Sequence, residues 1–362
     1  MSKQSWRGST LLNPEPPVLI LAQFLEYLES GERDPEEITF MEPQAGGACR
    51  AGNIYNLLQR VLYRMVEQGQ LEYAQIPVIS LNLMGEEKHT GFRITPSLLS
   101  GGIAAGCYGD LIMCLYQQVK PYEQNPGETD RIRSQVEKKL CESIRRHRNG
   151  RHTREKNYRY ACEVFSKVPV TPGKKKRVGI TGEIYMKYSK LGNDDIESFL
   201  LRQGMEPYSG GFVNYCLYLV DTERYKVEKY QHNPIMAKAC AFVLHRLCEA
   251  QKHLLTVIGE TDRFQTDLPF PELKEKVQGI LAEGCNTGDG WLIAAEVIQY
   301  VEKGCGSVLI LHPFGCLVSH VCERGILQRL HARFPDVSIQ TIEYDYDQSK
   351  TLRESRILLA IS

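Results

Sequence analysis

Three cysteines stand apart from the other nine by the loops that carry them. ITFMEPQAGGAC leads an apolar run to Cys49 just ahead of a helical pattern, and VLILHPFGC leads another to Cys316 ahead of a second. Cys285 sits in GCNTGDGW, among Gly284, Gly288 and Gly290, directly before a third helical stretch. A thiol just beyond a strand's carboxyl end lies on the edge where open α/β sheets bind ligands. Helix N-termini and glycine-rich backbone also offer N–H groups that stabilise a thiolate or the sulfides of an anionic cluster. Dispersed cysteines on separate loops point to iron–sulfur chemistry more than to structural zinc. The sequence has no C-x-x-C pair, the local signature of zinc sites, whereas a cluster held by three thiolates keeps one iron open to substrate.

The neighbours of these thiols have secondary roles to offer. His312 and His320 bracket Cys316 and are candidates to hydrogen-bond cluster sulfur or donate protons, the plain alternative being capping or satisfied polar residues. Glu183, with Tyr185 and Lys187 in GEIYMKY, is a third candidate for the cleft, or supports packing. Arg50 beside Cys49 offsets cluster charge or caps local backbone, and Gly288 and Gly315 are the candidate cofactor-contacting positions of the other two loops. Asp289 reads as compensating a helix dipole. Cys107, in GGIAAGCYGD, is a further possible ligand. Cys114, Cys141, Cys162, Cys216, Cys240 and Cys248 read as fillers of apolar or helical stretches, and Cys305 and Cys322 merely flank the Cys316 loop.

Positioning such loops requires an α/β framework. Residues 17–30 carry a helical pattern. Ile38 to Met41 reads as a strand, Asn53 to Gln68 as a helix and Gln75 to Leu83 as the next strand, so Cys49 lies in the first loop of a β-loop-α-β unit. Thr95 to Ser166 is mostly helical, and residues 130–160 hold eleven Lys/Arg against four Asp/Glu. That excess reads as a solvated helix pair with its counter-charges elsewhere on the fold, or as a docking face for an acidic partner. TPGKKKR (171–177) breaks the pattern and marks a domain boundary; it lacks the G-x-x-x-x-G-K-[ST] of a nucleotide loop. Beyond it, strands are expected at 178–184, 308–311 and 337–344, and helices at 194–203, 235–257, 271–283, 289–302 and 318–334. The division is then an N-terminal helical segment (1–35), a first α/β domain with a helical, basic insertion (36–172), and a second α/β domain (173–362).

Composition limits the alternatives. The 362 residues carry 44 Lys+Arg and 44 Asp+Glu, so no general nucleic-acid or membrane-surface binder is expected. The apolar run Pro17–Leu28 is interrupted by Gln23 and Glu26 and falls short of the ~20 residues of a spanning helix. No secretory signal is visible, so a cytoplasmic, reducing location is expected, in which cysteines serve metal binding, catalysis or burial.

Six stretches then become informative together: GGACRAGNIYNLLQRVL (46–62), YGDLIMCLYQQVKPYE (108–123), RVGITGEIYMKYSKLGNDDIESFLLRQG (177–204), GCNTGDGWLIAAEVIQYVEKG (284–304), HPFGCLVSHV (312–321) and IQTIEYDYDQS (339–349). In this order they resemble the 2-hydroxyacyl-CoA dehydratase component family, whose relatives include double-cubane cluster proteins and activase-fused versions. The resemblance covers most of the chain from about residue 36. It implies two flavodoxin-like (Rossmann-like) parallel-sheet domains with helical additions, and an iron–sulfur cluster, [4Fe-4S] or [8Fe-9S], in the interdomain cleft. It also implies an ATP-hydrolysing activase that injects a low-potential electron. In that family the dehydratases eliminate water from 2-hydroxyacyl-CoA through a ketyl radical, and the double-cubane relatives reduce small molecules.

By this resemblance Cys49 matches the cysteine of the family's G-P-C-R-x-G-like loop and Cys316 that of its P-F-G-C-L-P-N-H loop. Ala48 stands in place of proline, Val318-Ser319 in place of Pro-Asn, and no upstream cysteine-proline-lysine motif is present. The third ligand is then Cys285, or Cys107, or a residue of a partner chain. The expected function is the cluster-bearing component of a reductase or dehydratase-like system, working in a homo- or hetero-oligomer and binding no nucleotide itself. The rival is a noncatalytic electron-relay or scaffold subunit.

Overall fold

The computed structural model describes residues 15–43, 50–69, 76–81, 95–345 and 348–362. Helical spacing of apolar residues builds α1 (Glu15–Ser30) and α2 (Ile54–Glu67). Leu21 and Leu25 on the first, and Leu58, Leu62 and Met65 on the second, bury against a parallel pair, β1 (Phe40–Pro43) and β2 (Val78–Leu81). The expected strand–loop–helix–strand unit is present with its first strand shifted. Ile38 and Thr39 precede the ladder, and Phe40 stacks on Phe24 with centroids 4.3 Å apart.

Three helices follow, α3 (Pro96–Val119), α4 (Glu128–Arg145) and α5 (Arg151–Ser166). Three of the four acids in residues 130–160 pair with arginines four positions away, Arg133–Glu137 at 2.7 Å, Arg146–Glu142 at 2.5 Å and Arg159–Glu155 at 3.0 Å, and Arg159 also reaches a counter-charge elsewhere on the fold, Glu260 at 2.5 Å. The segment Pro96–Tyr122 has the length and apolarity to cross a membrane, which the search of the N-terminal run missed. Its polar residues are nevertheless knit into the protein. The Asp110 carboxylate accepts from the backbone N–H groups of Phe212 and Val213 at 2.7 and 3.0 Å, and Gln117 Oε1 accepts from that of Ser209 at 3.0 Å.

The remaining chain winds through β3 (Arg177–Gly182), α6 (Ile184–Tyr188), α7 (Ile196–Arg202), β4 (Glu206–Tyr208), α8 (Phe212–Lys226), α9 (Pro234–Gly259), α10 (Phe270–Lys276), α11 (Gly290–Glu302), β5 (Ser307–Pro313), α12 (Arg324–Arg333), β6 (Ser338–Tyr344) and α13 (Lys350–Ile361). The four strands form one parallel sheet in the order β4-β3-β5-β6. All seven residues of β5 are buried, as a strand covered on both faces requires. Its side chains alternate between two cores: Val308 and Ile310 join Trp291 of α11, Leu254 of α9 and Leu111 of α3, while Leu309 and Leu311 join Leu200 of α7 and Ile357 of α13. The first of these cores therefore combines helices from before and after residue 172. After β3 the chain steps outward to β4, then returns across β3 to β5 and β6. The order reverses between β3 and β5, and their carboxyl ends form the crevice where such sheets bind ligands.

Candidate functional site

The ends of β3 and β5 are drawn together by backbone. Gly182 has φ +130°, and a Cβ there would fall on the Leu311 carbonyl. This close approach lets the Glu183 N–H donate to Leu311 O at 2.8 Å. The Glu183 side chain then caps α6, accepting from Met186 N–H at 3.0 Å. Beyond β5 the Cys316 loop is pinned by Phe314 N–H to Tyr344 O at 2.7 Å, with Gly315 taking φ +75°. It continues into an irregular turn, Ser319–Glu323, before α12. On that turn Ser319 Oγ lies 3.2 Å from Cys316 Sγ and 2.7 Å from Glu323 Oε1.

The Cys285 loop is a direct neighbour. A Cβ on Gly288 (φ +56°) would come within 2.7 Å of Val318 Cγ2, so the 284–290 and 316–319 segments are in van der Waals contact. Cys285 O accepts from Trp291 N–H at 2.9 Å, closing the loop onto α11. Burial, and next the nearby Cys285, push the Cys322 thiol up to about 11. Two of the three expected ligand loops are thus brought to one sheet edge. Cys49 lies outside the described residues, and Arg50 opens the single turn Arg50–Asn53 ahead of α2. Cys107 is buried within α3, where burial outweighs its hydrogen bond with Tyr158 and raises its thiol to about 11.

The electrostatics of this edge are acidic. Burial pushes Glu323 up to about 8 and raises Glu183. Asp289 is raised well above its ordinary value, first by burial and then by Glu183, Glu323 and Glu296. Cys316 reaches about 12 through burial, with Glu183 and Glu323 adding to the rise against the hydrogen bond from Ser319. Lys187 is committed to Glu296 in a buried ion pair at 2.8 Å, and Thr181 donates to the same carboxylate at 2.5 Å. Among the described residues no ion pair reaches Glu183, Asp289 or Glu323. Asp289 stands at the N-terminus of α11, as expected of a residue compensating the helix dipole, but its side chain makes no capping bond there and accepts from the backbone N–H of Ile184, inside the acid cluster.

His312 and His320 form a separate group beside this cluster. Their rings meet edge to face at 5.4 Å, and Glu343 Oε2 lies 4.0 Å from His312 Nδ1 and 3.7 Å from His320 Nε2. These atoms are close enough to share a metal ion, but Arg324 already holds Glu343 Oε2 at 2.9 Å. Burial lowers His312 to about 4, so it is neutral at pH 7. Among the described residues neither imidazole hydrogen-bonds the Cys316 sulfur, and His320 reaches Cys316 only through its backbone N–H, which donates to Cys316 O at 3.1 Å.

Comparison of the chain with family models, curated proteins and solved structures gives no match. The residues that sequence reasoning passed over are Ser319, Glu323 and Glu296. A signal existed for Glu296, the lone charge in the apolar run WLIAAEVIQYV. Glu323 in HVCERG reads like any solvated helix residue, and only the fold reveals its burial.

Proposed function

We propose that the chain is the iron–sulfur component of a cytoplasmic, ATP-dependent low-potential reductase or 2-hydroxyacyl-CoA dehydratase-like system, receiving electrons from an activase and reducing or dehydrating a bound substrate. The observation that carries the reading is the packing of the Cys285 loop against the Cys316 loop at the switch point between β3 and β5. The order β4-β3-β5-β6 is consistent with a flavodoxin-like second domain, and the β1–β2 pair with the beginning of a first.

The residues present suit such a cluster, [4Fe-4S] or [8Fe-9S], on chemical grounds. Coordination of the Cys316 sulfur to iron would displace the thiol proton to solvent, which would offset the raised affinity of Cys316 for that proton. Burial raises the proton affinity of the surrounding carboxyls, which would limit the negative charge they add beside sulfide and thiolate. Cys316 and Cys285 would be ligands, with Cys49 as the third. A bound cluster would supply one-electron reduction of the substrate. The protein's own part is proton handling. The Ser319 hydroxyl stands between the two groups, placed to donate to Glu323 Oε1 or to Cys316 sulfur, and so couples the carboxyl to the thiol.

Anaerobic reconstitution with iron and sulfide tests the reading. Stoichiometric iron and sulfide with a low-temperature EPR signal on reduction is the expected result. Protein prepared without oxygen that takes up no iron contradicts it.

A further inference from the structure

The sheet's other edge carries a second candidate site, independent of the cluster. A cleft of about 1150 Å³, counting its open mouth, lies at the amino end of β3 between the sheet and the helical layer. Five cations line it, Lys174, Lys175, Arg177, Arg263 and Lys303, against a single acid, Glu206. That acid is already committed. Glu206 is buried, pairs with Arg177 at 2.7 Å and accepts from the Tyr122 hydroxyl at 2.7 Å.

The lysines of TPGKKKR divide sharply. Lys176 finds partners in the carbonyls of Ile361 and Ser362 at 2.7 and 2.6 Å. Lys174, Lys175 and Lys303 have no ion pair among the described residues, and Lys175 Nζ stands 5.9 Å over the Tyr122 ring. The loop that presents them is anchored: Thr171 N–H donates to Tyr122 O at 2.8 Å and Lys175 N–H to the Tyr122 hydroxyl at 3.0 Å. Arg263 donates to Ser166 O, and to Val168 O at 3.0 Å, makes no ion pair among the described residues, and has its pKa lowered by burial. Like charges gathered in a walled cleft repel one another and focus potential on whatever anion enters.

We propose that this cleft binds a small anion carrying two or more phosphate groups. The cleft is far larger than one phosphate needs, and ammonium groups on flexible stems recognise phosphate as point charges without the backbone cradle of a nucleotide loop. The Tyr122 ring beside Lys175 offers a face to an attached base. The phosphates belong to inorganic diphosphate, to a nucleoside diphosphate or, resting on the proposed function, to the adenosine end of coenzyme A.

Calorimetric titration of the metal-free full-length chain with diphosphate, ADP and coenzyme A tests this without reference to iron. At least one probe should bind, and the Lys175→Glu/Lys303→Glu variant should weaken it tenfold or more, while Lys138→Glu/Lys156→Glu, the same charge change on exposed helix positions, leaves affinity within twofold. Similar affinity for all three probes supports recognition of the phosphates alone, and tighter ADP and coenzyme A binding supports added contact with the base. Absence of binding by the wild type at millimolar probe, unchanged affinity in the cleft variant, or an equal loss in the control pair overturns the proposal.

Discussion

The two ends of the four-stranded sheet present opposite electrostatic problems. At the carboxyl edge Asp289 and Glu323 are buried beside the half-buried Glu183 with no ion pair to any of the three among the described residues, and the buried Lys187 is committed to Glu296. At the amino edge Lys174, Lys175 and Lys303 line a cleft whose only acid is already paired. Burial separates the two cases. The acids answer their environment with a raised affinity for protons, because desolvation penalises a buried charge. The lysines remain at least partly exposed, so solvent supports their charge while the cleft is open. One edge should therefore respond to pH, and the other to salt and to added anions.

The largest expected effect on stability comes from the buried lysine of the carboxyl edge. Lys187→Met leaves Glu296 without its partner and should cost ~3–5 kcal/mol in urea unfolding; a loss below ~1 kcal/mol would mean the pair is hydrated in solution. Next is the pH response of the metal-free protein. Glu323, raised from 4.5 to about 8, binds its proton more tightly folded than unfolded, so its contribution is complete below about pH 4.5 and is lost as pH rises through 8. Asp110, raised by burial to about 7, acts in the same sense. Stability should fall across this window by at most about 1.4 kcal/mol per pH unit for each such group, and Glu323→Gln should flatten the slope. A slope unchanged by that substitution would remove Glu323 from the acid cluster's account.

Smaller effects sharpen the contrast. Ser319→Ala removes the hydroxyl shared by Cys316 and Glu323 and should cost ~1 kcal/mol, read by thermal unfolding of the metal-free protein. At the amino edge Lys174→Gln removes an exposed charge without an ion partner and should change stability by less than ~0.5 kcal/mol in either direction. A destabilisation of 2 kcal/mol or more there would show an unrecognised structural role.

Much of this arrangement was legible in the sequence because strands buried on both faces announce themselves. VLIL before HPFGC marked β5, and glycine-rich loops before helical patterns marked where Cys285 and Cys316 leave the framework. β4 was missed because it is three residues with Pro207 at its centre, tolerable only because β4 is an edge strand. α8 was missed because it buries Asn214, Asp221 and Thr222, which blurs the apolar stripe. The helix expected over 271–283 stops at Lys276, and the turns that follow include Gly279 at φ +78°. The acid cluster was invisible for a different reason. Glu183, Asp289 and Glu323 come from three separate segments, and no spacing along the chain shows that the fold points them at one another.

The central claim, that the Cys285 and Cys316 loops hold iron together, is tested most directly by anaerobic reconstitution of four proteins side by side, followed by iron and sulfide analysis and EPR. Wild type and Cys240→Ala should carry the full complement, because Cys240 lies on α9 away from the sheet edge, while Cys316→Ser and Cys285→Ser should each lose most of their iron and the EPR signal, since serine is a poor ligand for a cluster built on thiolates. Full iron and an unchanged spectrum in Cys316→Ser would contradict the account.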